Sequence, residues 1–265
     1  MLSTGRQLLR ESRSVLRKHG VSGLSGAVFN YLTRPLLMPM AIGSLRHRAA
    51  NLMGVEESVR FAMEFRFGNI HIAPMQNRSE IAKLCACVRT ARPNTVLEIG
   101  TAKGGTLFLF AKFSAPDAYL VSVDLPFGAF GGGYPAWRTR LYRAFAGPAQ
   151  HMTLLREDSH APGTHADVKR ALAGRAVDFL FIDGDHTYDG VAADFHSYSS
   201  LVRPGGMIAF HDIVPGPEND AGGVYRFWQD LKASKSIDGQ FVEFVESWSQ
   251  GGLGIGVIQD FRTIR

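Results

Sequence analysis

The chain reads as an α/β protein. Its expected core is a doubly wound, mostly parallel sheet of seven strands with a C-terminal antiparallel hairpin, preceded by a helical extension. Three observations predict this. From residue 79 onward, short apolar runs alternate with segments of helical period. Glycine-bearing or polar turns separate them. Acids and histidines crowd the carboxyl ends of the runs. Such alternation sets strands side by side and parallel, with helices on both faces.

The elements follow in order. Residues 1–75 form a mainly helical extension, and residues 76–265 the main domain. In the extension, Leu8, Leu9, Val15 and Leu16 align as one apolar stripe. A further helix is expected between Gly43 and Gly68, ending in the mixed segment Phe65–Ile72. Ser79 is the expected N-cap of a helix in which Ile81, Leu84, Cys85 and Val88 keep the i, i+3, i+4, i+7 spacing, and Pro93 stops it. Five apolar runs read as strands: Thr95–Gly100, Tyr119–Asp124, His151–Arg156, Val177–Asp183 and Met207–Phe210. Helices are expected at Gly105–Phe113 and Ala166–Ala173. Another buries Tyr188, Val191, Phe195 and Tyr198, and a last one runs through Tyr225, Trp228 and Leu231. Arg203–Gly206 reads as a turn. Phe241–Val245 and Gly254–Ile258 form the closing hairpin.

Composition narrows the function classes. Apolar residues make up 45% of the 265 positions, enough for a large core and too many for global disorder. Cys85 and Cys87 stand two apart on a helix and face different ways, so no disulfide joins them; a reducing, cytoplasmic setting follows. The net charge of +5 is concentrated at one end: residues 1–50 hold eight Lys or Arg against the single acid Glu11. Read plainly, this is a solvated helical face; read sharply, it is a surface for peripheral contact with anionic lipid or an acidic partner. Nucleic acid is not expected, because no recognised module or stacking platform accompanies the charge. The apolar stretch Val21–Leu45 is broken by Asn30, Arg34, Pro35 and Pro39, so no membrane span or secretory signal is read. The N-terminal helices are also the candidate subunit interface of a homo-oligomer.

In a doubly wound sheet, ligands bind beyond the carboxyl ends of the strands, where strand order reverses. The residues there are Glu98 to Gly105, Asp124, Asp158, Asp183 to His186, and His211 with Asp212. The turn Glu98–Thr106 has the register G-x-x-x-G-G. It is neither the G-x-G-x-x-G of dinucleotide-binding proteins nor a P-loop. The long loop Leu125–Trp137, rich in glycine and aromatics, is a candidate functional loop or a packed surface loop. In Asp183-Gly-Asp-His186 and His211-Asp212, carboxylates and imidazoles converge from two strand ends. They read either as a divalent-cation site or as a helix N-cap at Asp185 plus a buried His–Asp pair.

The acid ending the first strand and the spaced glycines after it resemble the class I S-adenosylmethionine (SAM) dependent methyltransferases, whose fold is Rossmann-like. The resemblance covers roughly residues 75–260. It implies that Glu98, Gly100, Thr101, Gly104 and Gly105 cradle SAM, that Asp124 receives the ribose hydroxyls, and that Asp158 and Ser159 lie near the adenine. A phosphate-free, cationic cofactor suits an acid at that strand end. The Asp-x-x-His spacing of Asp183 and His186 is similar to the cephalosporin hydroxylase-like and macrolide-sugar O-methyltransferases. That subgroup implies Asp183 as a Mg²⁺ ligand, His186 as general base, and His211 with Asp212 as further ligands. His211 departs from the acid or amide that relatives carry, which leaves Mn²⁺ or no metal open. The implied activity is O-methylation of a sugar, glycan or glycosylated natural product. Trp137 and Trp228 either exclude water and offer faces to a sugar or are core residues. The alternatives are an NAD(P)-dependent oxidoreductase and a non-catalytic nucleoside-binding protein.

Overall fold

A computed structural model of the chain describes residues 35–130, 133–216, 222–234 and 237–263. The stripe predicted from Leu8 to Leu16 lies outside those residues. Where one helix was expected between Gly43 and Gly68 there are two, α1 over residues 35–49 and α2 at Val55–Glu64. A two-stranded antiparallel ribbon follows, β1 (Arg66–Phe67) with β2 (Ile70–His71).

The central sheet has seven strands: β3 (Thr95–Ile99), β4 (Tyr119–Val123), β5 (His151–Leu155), β6 (Val177–Ile182), β7 (Val202–His211), β8 (Ile237–Phe244) and β9 (Ile255–Thr263). Their order is β5-β4-β3-β6-β7-β9-β8. The first five are parallel, and β9 pairs antiparallel with both β7 and β8. From β3 the chain steps outward to β4 and β5, then returns to lay β6 on the other side of β3. Strand order therefore reverses between β3 and β6.

Six helices accompany the sheet after the ribbon: α3 (Arg78–Ala91), α4 (Gly105–Phe113), α5 (Thr139–Arg143), α6 (Pro162–Leu172), α7 (Tyr188–Tyr198) and α8 (Gly222–Ala233). Alternate strand residues face opposite layers. Val96, Leu120, Phe179 and Phe181 pack with Ile81, Leu84, Phe108 and Phe110, and Leu45, Val59 and Ala62 of α1 and α2 join that cluster. Leu97, Val121, Leu180 and Ile208 pack instead with Val168, Val191, Phe195 and Trp228. Burial on both faces is why the parallel strands read as unbroken apolar runs.

Four boundaries differ from expectation. The N-cap of α3 is Asn77, whose Oδ1 accepts from Ser79 N at 3.0 Å, so the helix begins one residue before Ser79. Helix α6 starts at Pro162, four residues early, because proline is well placed in the first turn. Arg203–Gly206 is not a turn: it lies within β7, where the register against β6 shifts between Val177 and Phe179. The N-cap of α7 is Thr187, whose Oγ1 accepts from Gly190 N. Trp228 is fully buried, with Nε1 donating to Glu243 Oε1 at 2.6 Å. It belongs to the core beneath β9 and not to a ligand site. Cys85 and Cys87 are free thiols. Among the described residues, no helix is long and apolar enough to cross a membrane.

Candidate active site

A cleft opens where strand order reverses. Ile99 and Gly100 after β3, Val123 and Asp124 after β4, Glu157 to His160 after β5, and Asp183 to Asp185 after β6 line it, with Gly128 to Phe130 across the mouth. Acids from successive strand ends thus face one space.

The glycines divide by role. Gly100 holds φ +88°, and a Cβ there would stand 1.9 Å from the Asp183 carbonyl oxygen. It lets the end of β6 pass, and the hydrogen bond from Asp183 N to Ile99 O, at 2.8 Å, locks the crossing. Gly104 and Gly105 do not line the cleft. A Cβ on Gly104 would meet the Tyr142 ring at 2.6 Å, and one on Gly105 would meet Ile72 O at 2.3 Å. Gly105 admits the segment 72–74 across the start of α4, and Gln76 just beyond it reaches Asp183.

Asp124 is held by Ala102 N, which donates to Oδ2 at 3.0 Å. Burial pushes its carboxyl up to about 6, against the pull of the backbone N–H groups of Ala102, Tyr134 and Thr101. Asp158 is exposed and shapes its turn by accepting from His160 N at 2.9 Å. Ser159 lines the cleft beside it. His160 pins that turn to α7: its Nε2 is 3.1 Å from Asp194 Oδ1.

Glu98 and Thr101 stand behind the wall. Glu98 is fully buried and accepts from the Thr101 hydroxyl at 2.9 Å. Burial pushes its carboxyl up to about 8, while the hydroxyls of Thr106 and Thr101 pull down. A buried acid whose folded pKa is raised stabilises the fold below its ordinary range. That contribution is lost as pH climbs toward 8. Glu98→Gln, neutral at every pH, should therefore raise the melting temperature at pH 8 by several degrees and leave it nearly unchanged at pH 5. Thermal melts at the two pH values check this; an unchanged or lower value at pH 8 refutes it.

Beyond Asp124, two aspartates and two histidines form one cluster. His186 Nδ1 is 3.1 Å from Asp212 Oδ2, and its Nε2 is 3.6 Å from Asp183 Oδ1. His211 Nδ1 is 3.0 Å from Asp183 Oδ1 and 3.4 Å from Asp212 Oδ2. Burial disfavours charge on both imidazoles. The facing carboxylates outweigh it, so the pKa of His186 is raised and that of His211 raised well above the ordinary value. Asp212 sits at φ +63°, with Oδ1 accepting from Leu253 N at 2.9 Å. Of the two imidazoles, His211 is 4% exposed while His186 is half-buried, its ring stacked at 4.8 Å on Phe130, which lines the cleft.

Two contributors escaped the sequence reading. Gln76 donates from Nε2 to Asp183 Oδ2 at 2.6 Å across 107 positions of chain, too far for any local pattern to reveal. Phe130 meets His186, whereas the loop's Trp137 packs against the core instead.

The cation expected from the subgroup resemblance can be tested on these contacts. Donor atoms of Asp183, His186 and Asp212 lie within 4.8 Å of one another. Yet all four carboxylate oxygens are engaged: Asp183 by Gln76 and His211, Asp212 by Leu253 and His186. His211 Nδ1 bridges the two carboxylates where a shared cation would need to stand. The expected ligand set of Asp183, His211 and Asp212 thus does not fit a resident Mg²⁺, which demands open oxygen ligands.

Residues 97–213 match the family described as a methyltransferase domain. They span β3 to just past β7 and include every strand end around the cleft. The fold is shared with a candidate caffeoyl-CoA O-methyltransferase from Staphylococcus aureus, at TM-score 0.52 and 15% identity over 86% of this chain and 99% of that one. It is also shared with cofactor-bound Rv0187 from MTB, at TM-score 0.50 and 21% identity over 78% and 87%. Among curated proteins, the uncharacterized protein y4gI of Sinorhizobium fredii is 26% identical over 153 residues, 55% of this chain. The chain spans 16% of the length of the curated relatives that it matches.

Proposed function

We propose that this chain is a SAM-dependent O-methyltransferase whose acceptor is a hydroxyl of a sugar, glycan or glycosylated natural product. The observation that carries the reading is the shared cleft. Asp124, Asp158, Asp183 and Asp185 face one space at the reversal of strand order, within the stretch that matches the methyltransferase-domain family. A wall so rich in carboxylates repels the pyrophosphate of a nicotinamide cofactor and attracts a sulfonium and an ammonium. In this reading the Asp124 carboxylate accepts from the ribose hydroxyls, and the turn at Asp158 and Ser159 flanks the adenine.

The reacting hydroxyl then lies beside His186. Asp212 Oδ2 takes the Nδ1–H, at 3.1 Å, which leaves Nε2, on the Asp183 side of the ring at 3.6 Å from Oδ1, as the basic nitrogen offered to the acceptor. An alcohol holds its proton too tightly to attack unaided at neutral pH. His186 Nε2 removes that proton as the acceptor oxygen forms its bond to the methyl carbon and the sulfur–methyl bond breaks. The sulfonium charge is neutralised in this step, and S-adenosylhomocysteine (SAH) leaves. Phe130 against the imidazole keeps water from the reacting atoms.

Calorimetric titration of SAM and SAH into the full chain tests the cofactor. Micromolar binding is expected, and absence of heat at millimolar ligand ends the proposal. A screen of sugars and glycosylated acceptors with isotope-labelled methyl donor tests the acceptor class by mass.

A further inference from the structure

The geometry points to His211 as a built-in substitute for a divalent cation, its Nδ1–H bridging Asp183 and Asp212 so that methyl transfer here proceeds without a resident metal. Three independent features converge on this. First, Nδ1 reaches both carboxylates, at 3.0 Å and 3.4 Å. It therefore stands at the point that a cation shared by the two aspartates would occupy. Second, the remaining oxygens are committed: Asp183 Oδ2 to Gln76 Nε2 at 2.6 Å, Asp212 Oδ1 to Leu253 N at 2.9 Å, and Asp212 Oδ2 also to His186 Nδ1 at 3.1 Å. Third, His211 cannot swing aside. It is 4% exposed at the end of β7, whose neighbours β6 and β9 hold the backbone from either side.

Charge gives the physical reason. Two carboxylates side by side, largely shielded from water, repel each other and need a compensating donor or positive charge between them. A divalent cation supplies this from solution; the His211 Nδ1–H, facing both carboxylates, supplies it from the chain and leaves His186 free to act as a base. Acceptor activation then rests on the His186–Asp212 pair, with no Lewis acid.

The test uses MnCl2 titrated by calorimetry into the full chain, with and without SAH. The wild type is expected to show no saturable heat up to millimolar Mn²⁺. His211→Glu replaces the bridging donor with a carboxylate and should gain Mn²⁺ affinity, roughly tenfold or more over the wild type. Saturable binding to the wild type that Asp183→Asn abolishes would overturn the inference. Heat that survives Asp183→Asn arises elsewhere and leaves the inference standing. No gain in a folded His211→Glu variant would also overturn it, because His211 would then not be what excludes the ion. The inference rests on the methyl-transfer reading for the meaning of the site. The two fail separately: SAH that does not bind ends that reading, whereas Mn²⁺ binding ends this one alone.

Discussion

Replacing His186 with alanine is expected to cut methyl transfer by roughly a hundred- to ten-thousandfold, the span of a positioned general base, while SAH affinity stays within about twofold. The two readouts separate because His186 lies past the cofactor end of the cleft, on the turn between β6 and α7. Its imidazole is the one that a ligand can reach, since His211 is buried behind it. Asp212→Asn should lower the rate as well, by less than His186→Ala. The amide can no longer take the Nδ1–H as a carboxylate does, so the ring loses its orientation and the tautomer that exposes Nε2 as a base. The raised pKa of His186 fixes the sign of the pH dependence. The rate should climb as pH rises past the ordinary histidine range, because only the neutral imidazole accepts a proton. Single-turnover assays on the acceptor returned by the labelled-methyl screen measure all three effects. Full activity in His186→Ala would show that the proton goes elsewhere.

Asp124→Ala should weaken SAH binding by roughly a hundredfold, the scale of losing two hydrogen bonds to a charged acceptor. Its carboxylate stands at the end of β4, lines the cleft and is oriented by Ala102 N. The same group makes binding pH-dependent. With the carboxyl pushed up to about 6, it is ionised at neutral pH and protonates as pH falls through that value. SAH affinity in the wild type should drop between pH 7.5 and pH 5, and Asp124→Asn should flatten that dependence. Stability runs the other way. A raised carboxyl stabilises the ligand-free fold below its ordinary range and loses that contribution as pH rises through about 6. Asp124→Asn should thus melt higher than the wild type at neutral pH while binding SAH more weakly. Calorimetry and thermal melts at the two pH values decide the matter. Unchanged SAH affinity in Asp124→Asn would remove Asp124 from the cofactor site.

How much of this was legible in advance varies along the chain. Helix α4 begins and ends where periodicity put it, at Gly105 and Phe113, and strands β3, β4 and β6 emerge from their apolar runs. These segments lie in the middle of the sheet, covered on both faces, so hydrophobicity alone marks them. Boundaries set by single hydrogen bonds were harder to see. Asn77 caps α3 through one contact to Ser79 N, and Arg203–Gly206 stays in β7 as an irregularity in the pairing with β6, with Gly206 paired to Phe261 of β9. Trp228 shows the same limit from the other side. An aromatic near a ligand loop in sequence turned out to fill the core under β9, where Gly256 makes room for its ring.

The amino-acid sequence by itself determined the alternation of strands and helices, and with it the strand ends at which Asp124, Asp158, Asp183, His186, His211 and Asp212 must appear. Parallel strands linked by crossover helices all deliver their carboxyl ends to one edge, so local pattern suffices. Which of those side chains touch was decided only by tertiary structure. Gln76 reaching Asp183, Glu98 withdrawing behind Thr101 and His211 bridging two aspartates depend on packing between segments far apart in the chain. Hydrophobic period records how deeply a segment is buried and carries no information about which distant atom stands opposite it.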